Sequence, residues 1–128
     1  MRKEILSTVM RAGGVASMVS GSLHLAGSAR AMVARGTGYL EMNRGPYLAS
    51  IGFLLISSGL TAAWAAGGVR EGARWARGAT AIAAVQGFGL CAITGPGFFV
   101  HLGPLSVGPV IVFAAHAFFL WQVLSRRQ

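Results

Sequence analysis

The feature that most constrains this chain is the length of its uncharged stretches. From Gly78 to Ser125 the sequence contains no Asp, Glu, Lys or Arg, and two further uncharged runs cover residues 12–29 and 45–69. A helix that crosses a membrane needs about 17–25 predominantly apolar residues. The first two runs have that length, and the third is long enough for two spans. The sequence therefore predicts four membrane-spanning helices.

Composition agrees with a membrane protein. The chain is 54% hydrophobic and 11% charged, whereas a soluble domain carries about 25% charged residues. A soluble chain of 128 residues could not bury so much apolar surface. The net charge is +8, but the basic residues lie at the ends of the apolar runs. This placement predicts lipid headgroups as the partner and argues against nucleic acid.

A repeated pattern marks the predicted turns. Residues 36–38 read Gly-Thr-Gly and residues 95–97 read Gly-Pro-Gly, and each is followed by an aromatic residue and later by a Gly-Pro pair. The pattern predicts two related helical hairpins in a parallel repeat, with positive φ at Gly38 and Gly97. A coincidental match is the alternative, because both motifs are common in membrane loops. The result is an all-α, integral membrane four-helix bundle in one domain, residues 1–128, with spans at about 12–29, 46–69, 78–94 and 105–124.

The distribution of positive charge predicts the orientation. In a four-span chain, the N-terminus, the loop at residues 70–77 and the C-terminus share one side of the membrane. Eight basic residues fall on that side and three on the other. The positive-inside rule then places both termini in the cytoplasm, at the plasma (inner) membrane.

Each predicted span carries one polar side chain near its middle, judged by the helical rise from the flanking arginines. Such groups usually face the bundle interior, because lipid offers no hydrogen bonds. Three interpretations compete: a network that fixes helix register, a ligand or proton pathway, and a b-type haem between the two histidines. These four residues are His24, Ser58, Gln86 and His116.

Small residues at helical spacing in the first and third spans predict close packing of those two helices at the centre. The first-span stripe consists of Gly13, Ser17, Gly21, His24 and Ser28. On the outer face, three arginines and one histidine lie near the predicted helix N-termini and could hold an anionic headgroup or an acidic partner. They are Arg30, Arg35, Arg44 and His101.

No catalytic motif appears, and Cys91 is the only cysteine, so we expect no enzymatic activity, no bound metal and no cofactor. The sequence predicts an accessory or scaffolding subunit of a membrane complex or of a homo-oligomer. Two alternatives stay open. One is a redox protein, haem- or quinone-linked, that uses His24 and His116, and the other is a small-molecule carrier with a site in the midplane polar layer.

Overall fold

A computed structural model describes residues 3–36 and 44–102, together with Ala114, Ala117, Phe118 and Trp121. Within these residues the chain is entirely helical and contains no strand. Helix α1 is Lys3–Arg35, α2 is Arg44–Glu71 and α3 is Trp75–Leu102. The prediction of an all-α fold is confirmed for this part of the chain.

Glycine ends two of the helices. Gly36 follows α1 with φ of 61°, and Gly72 follows α2 with φ of 74°, a conformation that glycine adopts without the steric cost of a Cβ. After α2 the Gly72 N–H donates to the Val69 carbonyl at 3.2 Å, and the Ala73 N–H donates to the Gly68 carbonyl at 2.8 Å. This pair of bonds is the Schellman motif, which satisfies carbonyls at the end of a helix. The chain therefore reverses sharply between α2 and α3.

Helix α3 differs from the sequence prediction at its C-terminal end. The turn expected at residues 95–97 is wrong, because α3 continues through these residues to Leu102. Gly97 is helical and does not have positive φ, and Gly38 lies outside the described residues. Pro96 removes one hydrogen bond, the bond to the carbonyl of Ala92, and leaves the rest of the helical ladder available. The repeated motif therefore does not mark equivalent turns.

Helix α2 occupies the centre of the described fold and packs on both α1 and α3. The expectation that the first and third spans pack at the centre is therefore wrong. Pro46 lies in the first turn of α2, where its missing N–H removes no intrahelical hydrogen bond. Because both interfaces involve α2, their contacts fix the register of all three helices.

The α1–α2 interface repeats every seven residues. The Gly14 and Gly59 backbones touch, and so do the Gly21 and Gly52 backbones: a Cβ on Gly14 would lie 2.7 Å from the Gly59 oxygen, and one on Gly21 would lie 2.6 Å from the Gly52 oxygen. A seven-residue step along α1 thus matches a seven-residue step back along α2. A sustained period of seven favours a left-handed supercoil. We call this interface the glycine seam; its buried small residues are Ser7, Gly14, Gly21 and Ser28 on α1, and Gly52, Gly59 and Ala66 on α2.

Two serines form hydrogen bonds across the glycine seam. Ser7 Oγ donates to the Ala66 carbonyl at 2.7 Å, and Ser17 Oγ donates to the Leu55 carbonyl at 2.9 Å. Both serines are buried, so water does not compete for these bonds. The bonds follow the antiparallel register of the glycine contacts, and they hold α1 and α2 at a backbone separation that only small side chains allow.

Candidate functional site: the outward apolar surface

The described part of the chain buries polar side chains in its core and leaves large apolar side chains on its surface. Among the described residues, six buried side chains are polar; Ser17 is 1% exposed and Thr80 is fully buried. On the surface, Val85 is 71% exposed, Phe53 is 67% exposed and Trp64 is 63% exposed. In water a soluble chain would gain free energy by exchanging these positions, because each fully buried large apolar side chain contributes about 1.5–3 kcal/mol.

The exposed apolar residues form continuous ridges. On α1, Val15, Val19 and Leu23 follow one another at intervals of four residues, and each is about half exposed. On α2, Phe53, Leu60 and Trp64 occupy one side of the helix. Contiguous apolar patches of this kind mark protein or membrane contacts. We call the first group the α1 ridge and the second the α2 ridge.

Aromatic contacts extend the α2 ridge onto α3. The rings of Trp64 and Trp75 stack with centroids 4.4 Å apart and an interplanar angle of 21°. The Trp75 ring also covers Gly68, where a Cβ would lie 2.6 Å from the indole. Glycine at this position therefore lets the indole lie flat against α2. The stacked pair remains largely exposed, since Trp75 is 44% exposed.

Within the part of the chain that the structure describes, the segment Leu48–Glu71 alone has the length and apolarity of a membrane span. The uncharged run in α1 is diluted by glycines, serines and His24. Several of these residues, among them Gly14, Ser17 and Gly21, are buried in or beside the glycine seam, so much of the lower apolarity of α1 arises on its buried side. The outward side of α1 keeps its ridge of Val15, Val19 and Leu23.

The predicted polar layer is divided between two levels. Gly21 contacts Gly52, and α1 and α2 are antiparallel. His24, three residues after Gly21, therefore lies at the level of Ala49, three residues before Gly52. Ser58 is nine residues further along α2, which corresponds to roughly 14 Å at the helical rise. The imidazole Nε2 of His24 is buried, and the backbone carbonyl of this residue accepts a hydrogen bond from Ser28 Oγ at 2.8 Å. His24 therefore lies at the level of the N-terminal part of α2 and apart from Ser58.

Ser58 and Gln86, in contrast, share a level of the α2–α3 interface. A Cβ on Gly68 would lie 2.8 Å from the Ala76 Cβ, which sets the antiparallel register of these helices. Ser58 lies ten residues before Gly68 on α2, and Gln86 lies ten residues after Ala76 on α3, so the two residues share a level. Ser58 is buried. The Gln86 Oε1 is also buried, and it accepts no hydrogen bond from the described residues. Of the predicted polar layer, these two residues therefore lie at one level.

The haem hypothesis depends on His116, which lies outside the described residues. In the described part of the chain, no group of three or more His, Cys, Asp or Glu side chains could hold a metal ion. Two grooves at the surface of α1 and α2 are lined by described residues other than His24, Ser58 and Gln86. The haem and carrier hypotheses therefore stay predictions.

The predicted outer-face residues lie at one end of the helices. Arg30 and Arg35 are exposed in the last turns of α1. Arg44 begins α2, and His101 belongs to the last turn of the antiparallel α3. Lys3 and Gly72 lie close together at the other end of the helices, because a Cβ built on Gly72 would lie 3.0 Å from Lys3 Nζ. The four predicted positions therefore occupy the end opposite Lys3 and Gly72.

No protein-family model, curated protein or solved structure matches this chain. Function must therefore be argued from the chain's own geometry. Sequence reasoning missed the pairing of glycines in the seam, because it searched α1 for small residues at intervals of four. The seven-residue repeat in both helices was the available signal: Ser7, Gly14, Gly21 and Ser28 in α1 match Gly45, Gly52, Gly59 and Ala66 in α2.

Proposed function

We propose that the chain is an integral membrane protein of four helices and that it serves as an accessory or scaffolding subunit of a membrane complex or homo-oligomer. The observation that carries this proposal is the large outward apolar surface above a tightly packed α1–α2 interface. Serines and glycines line that interface, while Phe53, Leu60 and Trp64 face outward. Lipid solvates such a surface, and small residues bring helices together within it.

The position of Phe118 supports the four-helix topology. Its side chain packs against the buried cluster that includes Leu6 and Met10 of α1. Leu6 lies near the same end of the molecule as the α2–α3 turn. A fourth span that returns to the side of the N-terminus would make this contact. Both termini would then lie on the cytoplasmic side together with Arg70, Arg74 and Arg77.

The α2 ridge is the surface that we assign to a protein partner. Aromatic residues are enriched in protein interfaces, where they contribute large contact areas. The α2 ridge carries Phe53 and Trp64, and Trp75 stacks beside it. The α1 ridge, in contrast, is aliphatic, and we assign it to lipid. The described residues contain no catalytic constellation that would favour an enzymatic role.

Mass measurement after mild extraction tests the scaffolding role. We expect the protein in a gentle non-ionic detergent to form an oligomer or to retain a partner protein, with a mass greater than one chain plus detergent. Replacing Phe53 and Leu60 together by alanine should dissociate this assembly, because it removes the centre of the α2 ridge.

The matched control replaces Val19 and Leu23 of the α1 ridge by alanine, which removes aliphatic surface of similar exposure and should leave the assembly intact. A wild-type protein that elutes as a clean monomer without a partner would contradict the scaffolding role. Equal dissociation by both double variants would contradict the assignment of the α2 ridge.

A further inference from the structure

A groove beside the N-terminal half of α1 combines opposite charges with an apolar floor. It has a volume of about 740 Å³, within the roughly 300–1,000 Å³ of small-molecule sites. Glu4, Thr8, Arg11 and Arg70 contribute its polar groups, and Val15 contributes to its floor. The described residues offer no ion-pair partner to either arginine: neither Arg11 nor Arg70 bonds to Glu4 or to another acidic side chain.

The helix register makes the two guanidinium groups converge. From the Gly14–Gly59 contact, Arg11 lies opposite Ala62, eight residues along α2 from Arg70, or about 12 Å at the helical rise. Side chains on a helix tilt toward its N-terminus. Because α1 and α2 are antiparallel, Arg11 leans toward the level of Arg70, and Arg70 leans toward the level of Arg11. Both line the same groove.

The depth of Arg11 calls for an anionic partner. If the chain spans the membrane as proposed, Arg70 lies near the end of α2 and Arg11 lies about two turns further inward. Its neighbour on the outward surface toward the membrane interior is Val15, which is apolar and 48% exposed. A cation at such a position is costly unless it reaches the interface or meets an anion. Two guanidinium groups at one site match the geometry of a phosphate.

Glu4 distinguishes this groove from a simple anion site. It lies about two turns outward of Arg11 on α1, and it adds a carboxylate to the same lining. From the membrane interior outward, the groove presents Val15, then Arg11, and then Glu4 and Arg70 at nearly one level. Because side chains tilt toward the N-terminus of their helix, Arg70 leans inward toward Arg11, whereas Glu4 leans outward. A phospholipid with a primary amine presents its groups in the same order: acyl chain, phosphate, ammonium. The charges are complementary at each step.

We propose that this groove is a binding site for an aminophospholipid such as phosphatidylethanolamine. The phosphate accepts hydrogen bonds from Arg11 and Arg70, the ammonium donates to Glu4, and one acyl chain lies along Val15 and Ala16. This inference rests on the proposed membrane integration. It adds a specific lipid headgroup to an otherwise general lipid contact.

Lipid titration followed by native mass spectrometry tests the site. The delipidated full chain in non-ionic detergent is titrated with short-chain phosphatidylethanolamine, phosphatidylcholine and phosphatidylglycerol. We expect the first to bind most tightly. Arg11→Gln and Arg70→Gln should each weaken its binding about tenfold, as expected for loss of a hydrogen bond to a charged group. Glu4→Gln should abolish the preference for phosphatidylethanolamine over phosphatidylcholine and leave phosphatidylcholine binding unchanged.

Arg77→Gln is the matched control, because Arg77 is exposed at the same end of the molecule and does not line the groove; its lipid binding should equal that of the wild type. A preference for phosphatidylglycerol, or a Glu4→Gln variant that keeps the wild-type preference, would overturn the proposal. Alkaline extraction of membranes from the same variants separates the two claims. A wild-type chain that stays in the membrane but shows no preference for phosphatidylethanolamine refutes only the site, whereas a wild-type chain released without detergent refutes membrane integration.

Discussion

Replacing Gly59 by alanine is expected to lower the free energy of unfolding by about 3 kcal/mol, at the upper end of the usual cost of overpacking. A Cβ on Gly59 would overlap the Gly14 carbonyl oxygen and would lie 2.8 Å from Met18 Cγ. The nearest atom belongs to the backbone, so no rotamer change can relieve the overlap. The two helices would have to separate, and the hydrogen bond from Ser17 to the Leu55 carbonyl would be lost with them.

Gly67→Ala is the matched control on the same helix, because a Cβ there would have no neighbouring atom within 4 Å. Alanine is a better helix former than glycine by about 1 kcal/mol, so this variant should be as stable as the wild type or slightly more stable. Unfolding by sodium dodecyl sulfate in mixed micelles, followed by far-ultraviolet circular dichroism, measures both. Equal stabilities of the two variants would show that the helices do not meet at the glycine seam.

Introducing two lysines on the α2 ridge, Phe53→Lys with Leu60→Lys, is expected to prevent stable membrane integration. Each lysine near the centre of a span costs about 2.5–3.5 kcal/mol on the insertion scale, and the favourable contribution of the apolar residue is lost as well. Alkaline extraction should release most of the variant, whereas the wild type should stay in the membrane pellet. In a soluble protein the same exposed substitutions would be neutral or would increase solubility.

The control places two lysines at exposed helix ends, Ala34→Lys with Glu71→Lys. These positions lie beside the existing basic residues Arg35 and Arg70, where charge is compatible with the membrane interface. This variant should stay in the pellet. If the ridge variant also stayed in the pellet and folded like the wild type, the α2 ridge would not face lipid or a membrane partner.

The sequence predicted the helical class because uncharged runs mark the helix centres. Each described helix contains one of the first three predicted spans and extends beyond it at both ends. The extensions arise because charged residues such as Lys3, Arg35 and Arg70 are tolerated in the outer turns of helices. Gly36 and Gly72 set where α1 and α2 end, through their positive φ. The Gly-Pro-Gly sequence at residues 95–97 misled the prediction, since apolar residues on both sides continue the helix through it.

The candidate site could be predicted only in part, because flanking charges do not measure depth. Arg11 and Arg70 each served as the end of a span, yet the register places them about 12 Å apart along the helix axis. Long arginine side chains can reach the interface from different depths, so the sequence alone does not reveal this offset. His24 was consequently assigned to the level of Ser58 and Gln86. The outward position of Phe53 and Trp64 also required the structure, because α2 is apolar on nearly all sides.

The measurement that tests membrane integration most directly is a spin-label accessibility scan along α2 in reconstituted vesicles. Cys91 is replaced by alanine, and single cysteines at Phe53, Leu60, Trp64 and Glu71 are labelled in turn. At the first three positions we expect high collision rates with oxygen and low rates with a water-soluble nickel chelate, because these side chains contact lipid or a membrane-embedded partner. At Glu71 the chelate should be favoured. High chelate accessibility at Leu60 would show that the α2 ridge faces water, and it would contradict the proposal that this chain is an integral membrane protein.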